Sequence, residues 1–168
     1  MINDELPVAI KYSLAGDKIV VFTDSMIRFY TETLQEIATH KYNQSKILNF
    51  TIENDSVVIT ESTSISGNSV QISAFDFDGK KFFSDRIPIK INDISMGENI
   101  LYAIGDQQLF AYEFSQDNTV NKHIFDTGSN FKTIIADSEN RYIIANSKKV
   151  LRGEISSNTK NSKDDSKK

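Results

Sequence analysis

Hydrophobic and polar residues alternate with a period of two through most of this 168-residue chain. In the clearest stretch, Ser69 to Arg86, Val70 and Ile72 fall on the same face, because successive side chains of a strand point to opposite sides. Asp78-Gly79 then interrupts the run before apolar residues resume. An Asp-Gly pair between two such runs indicates a β-hairpin. We therefore predict a strand, a type I′ turn with positive φ at both central residues, and a returning strand.

The same unit recurs four times along the chain. Each copy has a short alternating strand, a polar turn, a β-rich run, a second turn and a third strand. Equivalent positions in the second strands lie about 40 residues apart, which is the period of a four-stranded blade; they are Ile19, Val57, Ile100 and Tyr142. We predict one domain of β repeats over 1–155, with repeats at about 9–43, 46–89, 90–126 and 131–155.

A fourth strand completes the first three repeats, at Glu36 to Tyr42, Lys81 to Ile87 and Val120 to Phe125. Thr31 to Lys41 also has apolar residues at helical spacing, but the register of the repeats favours a strand. No fourth strand follows in the last repeat. Residues 156–168 are polar and contain no apolar side chain, so we predict a disordered tail that cannot offset its ordering entropy.

Composition narrows the functional classes. The net charge of −4 argues against a nucleic-acid surface, where a concentrated basic patch is expected. The chain has no cysteine, which excludes a disulfide framework and thiolate metal sites. It shows no apolar stretch of about 20 residues and no signal peptide at its acidic start. The compartment stays open: cytoplasmic, or extracytoplasmic if an anchor precedes this chain.

These repeats resemble the blades of a β-propeller and are most similar to quinoprotein-type and other PQQ-like repeats. The Asp-x-Asp-Gly-Lys pattern at Asp76 to Lys80 is typical of that class, and the resemblance spans Ala9 to Ile155. WD40-like repeats match less well, since the chain has no tryptophan. The tryptophan-docking pattern is absent too, so the resemblance implies no cofactor. The style and composition also resemble an uncharacterised bacterial propeller-like family, often membrane-anchored, of which this would be the C-terminal part.

The number of repeats raises the question of ring closure, since propellers have four to eight blades. Three complete units and one three-stranded unit form either a small ring or an arc of a larger one. Glu5 to Val8 contains Pro7 and would make a poor closing strand. We therefore expect an arc, whose exposed apolar end faces call for a partner. That partner is either another copy or the missing blades.

Two groups of residues are candidate metal sites. Asp76-Phe77-Asp78-Gly79 has the start of a calcium loop, but position twelve of that loop is Ile87 rather than a bidentate acid. A plain hairpin turn is the favoured interpretation. His40 and His123 fall in outer strands of non-adjacent repeats, which point apart, so we expect solvated edge histidines.

The sequence favours a non-catalytic scaffold or sensor that binds a protein or peptide, by analogy with propellers. We predict no catalytic, cofactor-binding or metal residues, and no nucleophile elbow is present. One alternative is a cell-surface carbohydrate- or cell-wall-binding module with exposed aromatics on one rim, Tyr30 and Tyr112 being the first candidates. Another is a fragment of a larger propeller enzyme whose active site is completed by further blades.

Overall fold

The computed structural model describes residues 7–13, 15–42, 47–53, 55–63, 68–117, 119–137 and 140–155. These residues form fifteen β-strands in four antiparallel sheets, and no helix occurs among them. The described part accordingly contains no helix that could cross a membrane. The predicted all-β fold of four sheets is confirmed, whereas the tail predicted at 156–168 lies outside the described residues.

Each sheet is a meander in which strands pair in chain order. The first sheet contains β1 (Pro7–Tyr12), β2 (Lys18–Thr23), β3 (Met26–Thr31) and β4 (Glu36–Lys41). The second contains β5 (Ile47–Glu53), β6 (Ser56–Ser62), β7 (Val70–Asp76) and β8 (Lys81–Ile87). The third contains β9 (Asp93–Met96), β10 (Ile100–Gly105), β11 (Gln108–Phe114) and β12 (Val120–Asp126). The fourth contains β13 (Thr133–Ala136), β14 (Arg141–Ala145) and β15 (Val150–Glu154).

The strand assignments agree with the repeat pattern at the positions that were ambiguous. Thr31 to Lys41 is a turn followed by β4, so the helical alternative is wrong. The apolar spacing at Leu34 and Ile37 is accidental, since Leu34 adopts a left-handed φ of 62° in the turn. Pro7 and Val8 belong to β1, which pairs with β2, so they are part of the first sheet and not a separate closing strand.

The sheets stack face against face, and each junction encloses an apolar core. The first core lies between sheets one and two, the second between two and three, and the third between three and four. The largest buried side chains are aromatic, and they include Phe22, Phe29, Phe75, Phe110, Tyr102, Tyr112 and Phe131. Burying such residues supplies the main favourable term in folding.

Alternation gives every sheet two faces, which we name by direction along the stack. The front face points toward the preceding sheet and the back face toward the following one. In the third sheet the front face carries Ile94, Met96, Leu101, Ala103 and Tyr112. Its back face carries Ser95, Tyr102, Ile104, Leu109 and Ala111.

The two ends of the stack leave one face each uncovered. On the front face of the first sheet, Ile10 is 54% and Tyr12 is 65% exposed. On the back face of the fourth sheet, Ile135 is 61% and Val150 is 66% exposed. The described residues therefore form an open arc of sheets, as the sequence led us to expect, and not a ring closed on itself.

Candidate functional site

A groove opens between the second and third sheets, on the rim that carries the first and third turns of both sheets. Its volume is about 260 Å³. The lining residues come from the starts and ends of strands in both sheets, and they are Ser56, Phe82, Met96, Glu98, Phe114, Ser115 and Val120. Because each sheet supplies part of the wall, the groove depends on the stacking of the two sheets.

Aromatic rings form the wall of this groove. Phe82 and Phe114 meet edge to face with ring centroids 5.7 Å apart, and Phe114 meets Phe83 in the same way at 5.3 Å. Phe83 in turn lies 4.8 Å from the ring of Tyr112, which is buried. Such edge-to-face contacts are favourable beyond the area they bury. The row thus connects an exposed ring at the groove to the core between the two sheets.

The groove combines an apolar wall with a polar mouth. Phe82 is 44% exposed and Val120 is 38% exposed, while Met96 closes the floor and is buried. Glu98 is exposed and also lines the groove, as do the hydroxyl-bearing residues Ser56 and Ser115. This arrangement suits an apolar side chain presented beside a cationic group, as a peptide would present it.

A polar cluster below the groove fastens the same two sheets. Asp85 Oδ2 accepts a hydrogen bond of 2.6 Å from Lys122 Nζ and one of 2.7 Å from the Tyr112 hydroxyl. Burial alone would raise the pKa of the Asp85 carboxyl, but the hydrogen bonds from Lys122, Tyr112 and the Arg86 backbone N–H outweigh it. The pKa of Asp85 is therefore held below its usual range, and the cluster contains a carboxylate at neutral pH.

The third and fourth sheets are joined by side chains that bind backbone amides. The Asp93 carboxylate accepts hydrogen bonds from the Ile134 N–H and the Thr133 hydroxyl, and Ser95 Oγ accepts one from the Ala136 N–H. β9 and β13 belong to different sheets, so these side chains satisfy amides that a sheet partner would otherwise satisfy.

The Asp76 to Lys80 segment is a hairpin turn, as favoured over a calcium loop. The Asp76 carboxylate accepts hydrogen bonds from the backbone N–H groups of Asp78 and Lys80. The predicted type I′ geometry is wrong, because only Gly79, with φ of 75°, has a positive φ among the turn residues. A type I′ turn occurs instead at Asp106-Gln107, where both residues have positive φ.

His40 and His123 lie in β4 and β12, the outer strands in which they were predicted. The expected solvated state is wrong for His40, whose Nε2 lies 3.3 Å from Glu61 Oε2 and whose ring packs 4.9 Å from that of Phe75. Glu61 is buried, and sheet stacking brings the two residues together. His123 Nε2 lies 3.7 Å from Glu113 Oε2 and is separate from this pair. Within the described ranges no group of three or more metal-binding side chains occurs.

The two tyrosines proposed for glycan binding do not form an exposed pair on a rim. Tyr112 is buried and its hydroxyl donates to Asp85, so it cannot contact a glycan. Tyr30 is half-buried on the front face of the first sheet. Sequence reasoning missed Phe82 and Phe114 as site residues. The available signal was the pair of consecutive phenylalanines at 82 and 83, one of which must point away from the core.

Comparison with solved structures supports the fold. The computationally designed Ika4 protein matches with a TM-score of 0.66 and 14% identity, over 92% of this chain and 94% of that chain. The designed Ika8 protein matches at 0.65 and 15%, over 89% and 46%. The WD40 domain of Toxoplasma gondii coronin matches at 0.61 and 15%, over 89% and 45%. This chain therefore spans less than half the length of the last two, and its fold is β-propeller-like.

A search of curated protein sequences gives no match. The family comparison does give one, over residues 3–154, which is nearly the whole repeat region. The match covers all four of the stacked sheets. The chain is thus a member of the family of unknown function DUF5711.

Proposed function

We propose that this chain is a non-catalytic interaction module in which the groove between sheets two and three holds a segment of a protein or peptide partner. The observation that carries the proposal is the exposed ring of Phe82, which packs on the partly buried rings of Phe114 and Phe83 and, through them, on buried Tyr112. An aromatic ring that is anchored on one side and open on the other is the usual centre of a peptide-binding surface. Propeller-like sheets supply a rigid frame for such a surface.

The chemistry of the groove defines the segment that it would bind. An apolar side chain would pack against Phe82 and Val120, and an adjacent lysine or arginine would lie against the Glu98 carboxylate. A single salt bridge at the exposed mouth adds little affinity. Most of the binding free energy would therefore come from the apolar side chain, while the charge selects the sequence around it.

We propose in addition that the four repeats belong to the PQQ-like class of propeller repeats. Its support is the Asp-x-Asp-Gly-Lys turn, in which the first aspartate holds the turn through two backbone N–H groups. We also propose that this chain belongs with bacterial propeller-like proteins that often have a membrane anchor. Both statements rest on sequence style, and neither is needed for the peptide-binding role.

The test is selection of peptides from a random displayed library on the immobilised 168-residue chain. We expect enriched peptides to share an apolar residue next to Lys or Arg. Phe82→Ala should weaken their binding at least about tenfold, since truncating a central anchor residue costs about 2 kcal/mol or more. Phe125→Ala is the matched control, because Phe125 is 39% exposed on β12 and does not line the groove.

Calorimetry on individual selected peptides gives the dissociation constants. Peptides that bind wild type and Phe82→Ala equally well would contradict the proposed site. A library that yields no enriched sequence would contradict a peptide-binding role for this chain.

A further inference from the structure

The two uncovered faces at the ends of the arc are the two halves of an interface that already occurs three times inside the molecule. At every internal junction the front face of one sheet packs on the back face of the sheet before it. The first sheet has an uncovered front face and the fourth has an uncovered back face. The residues at these faces can be compared position by position with their buried counterparts.

The register of the strands gives the front-face comparison. Ile10 pairs with Val21, and Tyr12 with Ile19, which in turn pairs with Tyr30. In the third sheet Ile94 pairs with Ala103, and Met96 with Leu101, which in turn pairs with Tyr112. The first sheet thus presents the same five positions with the same apolar and tyrosine character. All five are buried in the third sheet, whereas in the first sheet Ile10 and Tyr12 are exposed, Val21 and Tyr30 are half-buried and only Ile19 is buried.

The back-face comparison gives the same result at the other end. Ile135 pairs with Ile143, and Val150 with Ala145. The corresponding residues of the third sheet are Ser95, Tyr102, Leu109 and Ile104, all of which are buried against the fourth sheet. Ile135, Ile143 and Val150 are exposed instead. Side chains of this kind in contiguous positions indicate an interface rather than a solvent-facing surface.

The fourth sheet also has a hollow large enough to hold an aromatic ring. A cavity of about 450 Å³ lies on this sheet and includes Ile135, Ile143 and Arg152 in its wall. Tyr12, on the opposite end face, is the most exposed aromatic side chain of the described residues. A tyrosine ring packs well on apolar side chains and stacks on a guanidinium group. Both end faces therefore expose apolar side chains, and the fourth sheet has room for the tyrosine ring that the first sheet exposes.

We infer that a second copy of this chain covers both end faces, so that two copies close a ring of eight sheets, four from each copy. The first sheet of one copy packs on the fourth sheet of the other, and the reverse contact closes the ring. Each contact is head to tail, and a two-fold axis relates the two contacts, so the assembly closes after two copies.

The inference is independent of the peptide groove, which lies within one copy between sheets two and three. The first experiment measures the solution mass of the full chain by light scattering coupled to size exclusion over a wide concentration range. We expect twice the 19.0 kDa mass of the chain. A monomer at all concentrations would overturn the inference, as would open polymers of increasing mass. A monomer is also the result expected if further sheets of a longer polypeptide cover these faces.

Two charged variants test which faces meet. Ile10→Lys alters only the front face of the first sheet, and Ile135→Glu alters only the back face of the fourth sheet. Each variant alone should weaken dimerisation at least about a hundredfold, because a charge would be buried at both contacts of the ring. Ile124→Lys is the matched control: Ile124 is 54% exposed, as Ile10 is, but lies on β12 away from both end faces. This variant should keep the dimer mass.

Mixing the two variants distinguishes the head-to-tail ring from other dimers. In a mixed pair one contact has both wild-type faces, and the other brings the two introduced side chains of opposite charge together, so the mixture should recover the dimer. Dimerisation that only one of the variants abolishes would show a like-with-like contact and overturn the inference. Failure of the mixture to recover would do the same. The monomeric variants should still bind groove-selected peptides, so the two proposals succeed or fail separately.

Discussion

The Asp76–Lys80 turn joins two sheets as well as two strands. The Asp78 carboxylate lies 2.8 Å from Lys18 Nζ of the first sheet. A Cβ atom added to Gly79 would overlap the Ala38 Cβ and crowd the Phe29 ring, both of which also belong to the first sheet. Gly79 is therefore needed for two reasons: its positive φ, which other residues adopt at a cost, and its close approach to a neighbouring sheet.

These two reasons can be separated with a matched pair of variants. Gly79→Ala should lower the free energy of unfolding by about 2–4 kcal/mol, since backbone strain and steric overlap act together. Gly16→Ala should cost only about 1 kcal/mol, because Gly16 has the same φ of 75° but no atom within 4 Å of an added Cβ. Urea denaturation measures both. Equal losses would show that the contact between sheets contributes nothing.

Local features of single residues were predictable from the sequence, whereas side-chain contacts between different repeats were not. The turn at Asp78-Gly79 was predictable, because its signal is local. The Lys18–Asp78 and His40–Glu61 contacts were not, since their partners come from different repeats and meet only when two sheets stack. The type I′ prediction failed for a local reason: Gly79 N–H bonds to the Asp76 carbonyl and Asp76 N–H to the Lys80 carbonyl, so the loop has three residues and ends on Gly79 in the left-handed region.

At the level of strands and sheets, the Asp85 cluster fixes β8 of the second sheet against β11 and β12 of the third. Its carboxylate has a lowered pKa, so the folded protein binds this proton less tightly than the unfolded chain does. The stability that it contributes is fully present above the unfolded-state pKa of about 3.9. It is lost as the pH falls through the lower folded-state pKa.

Replacing this carboxylate gives a pH-dependent test. Asp85→Asn should lower the free energy of unfolding by about 1 kcal/mol at neutral pH, a modest value because the pair is partly exposed and screened. The difference from wild type should shrink as the pH falls below the unfolded-state pKa of about 3.9 and through the lower folded-state pKa. Urea denaturation at neutral and acidic pH at low salt measures it. Asp106→Asn, in an exposed turn, is the control and should show no such trend; a pH-independent loss in Asp85→Asn would contradict the argument.

Strand positions were predictable along most of the described chain, because β-branched and aromatic residues alternate with polar ones between turn residues. β2, β6, β10 and β14 fall at the repeat spacing. The groove was not predictable from the sequence. Phe82 and Phe114 are 5.7 Å apart between ring centroids, but they belong to different repeats, and no local pattern records which faces of two sheets oppose each other.

The whole molecule is a one-dimensional stack in which each sheet packs only on its neighbours. In such a stack, stability is close to a sum of the terms for each sheet and each junction. Damage to one junction should therefore stay local. Phe29 in the first core and Ile144 in the third are both buried and sit at opposite ends of the arc.

We expect Phe29→Ala and Ile144→Ala each to cost about 2–5 kcal/mol, because both leave a cavity in a packed core. Amide hydrogen exchange should become faster in β1–β4 for the first variant and in β13–β15 for the second. Both substitutions are best made together with Ile10→Lys. The protein is then monomeric, and the first sheet of one copy does not stabilise the fourth sheet of another. Uniformly faster exchange throughout the chain would show that the four sheets unfold as one cooperative unit.

The connection between β6 and β7 is a suitable place for inserting a reporter group. The Thr63 N–H donates to the Ser69 carbonyl at 3.0 Å, and the hydroxyls of the same two residues are hydrogen-bonded to each other. These two hydrogen bonds extend the pairing of β6 with β7 as far as Thr63 and Ser69. A fluorophore or affinity epitope spliced between these two residues should leave the neighbouring hydrogen-bond ladder undisturbed, which would give a reporter for either binding experiment.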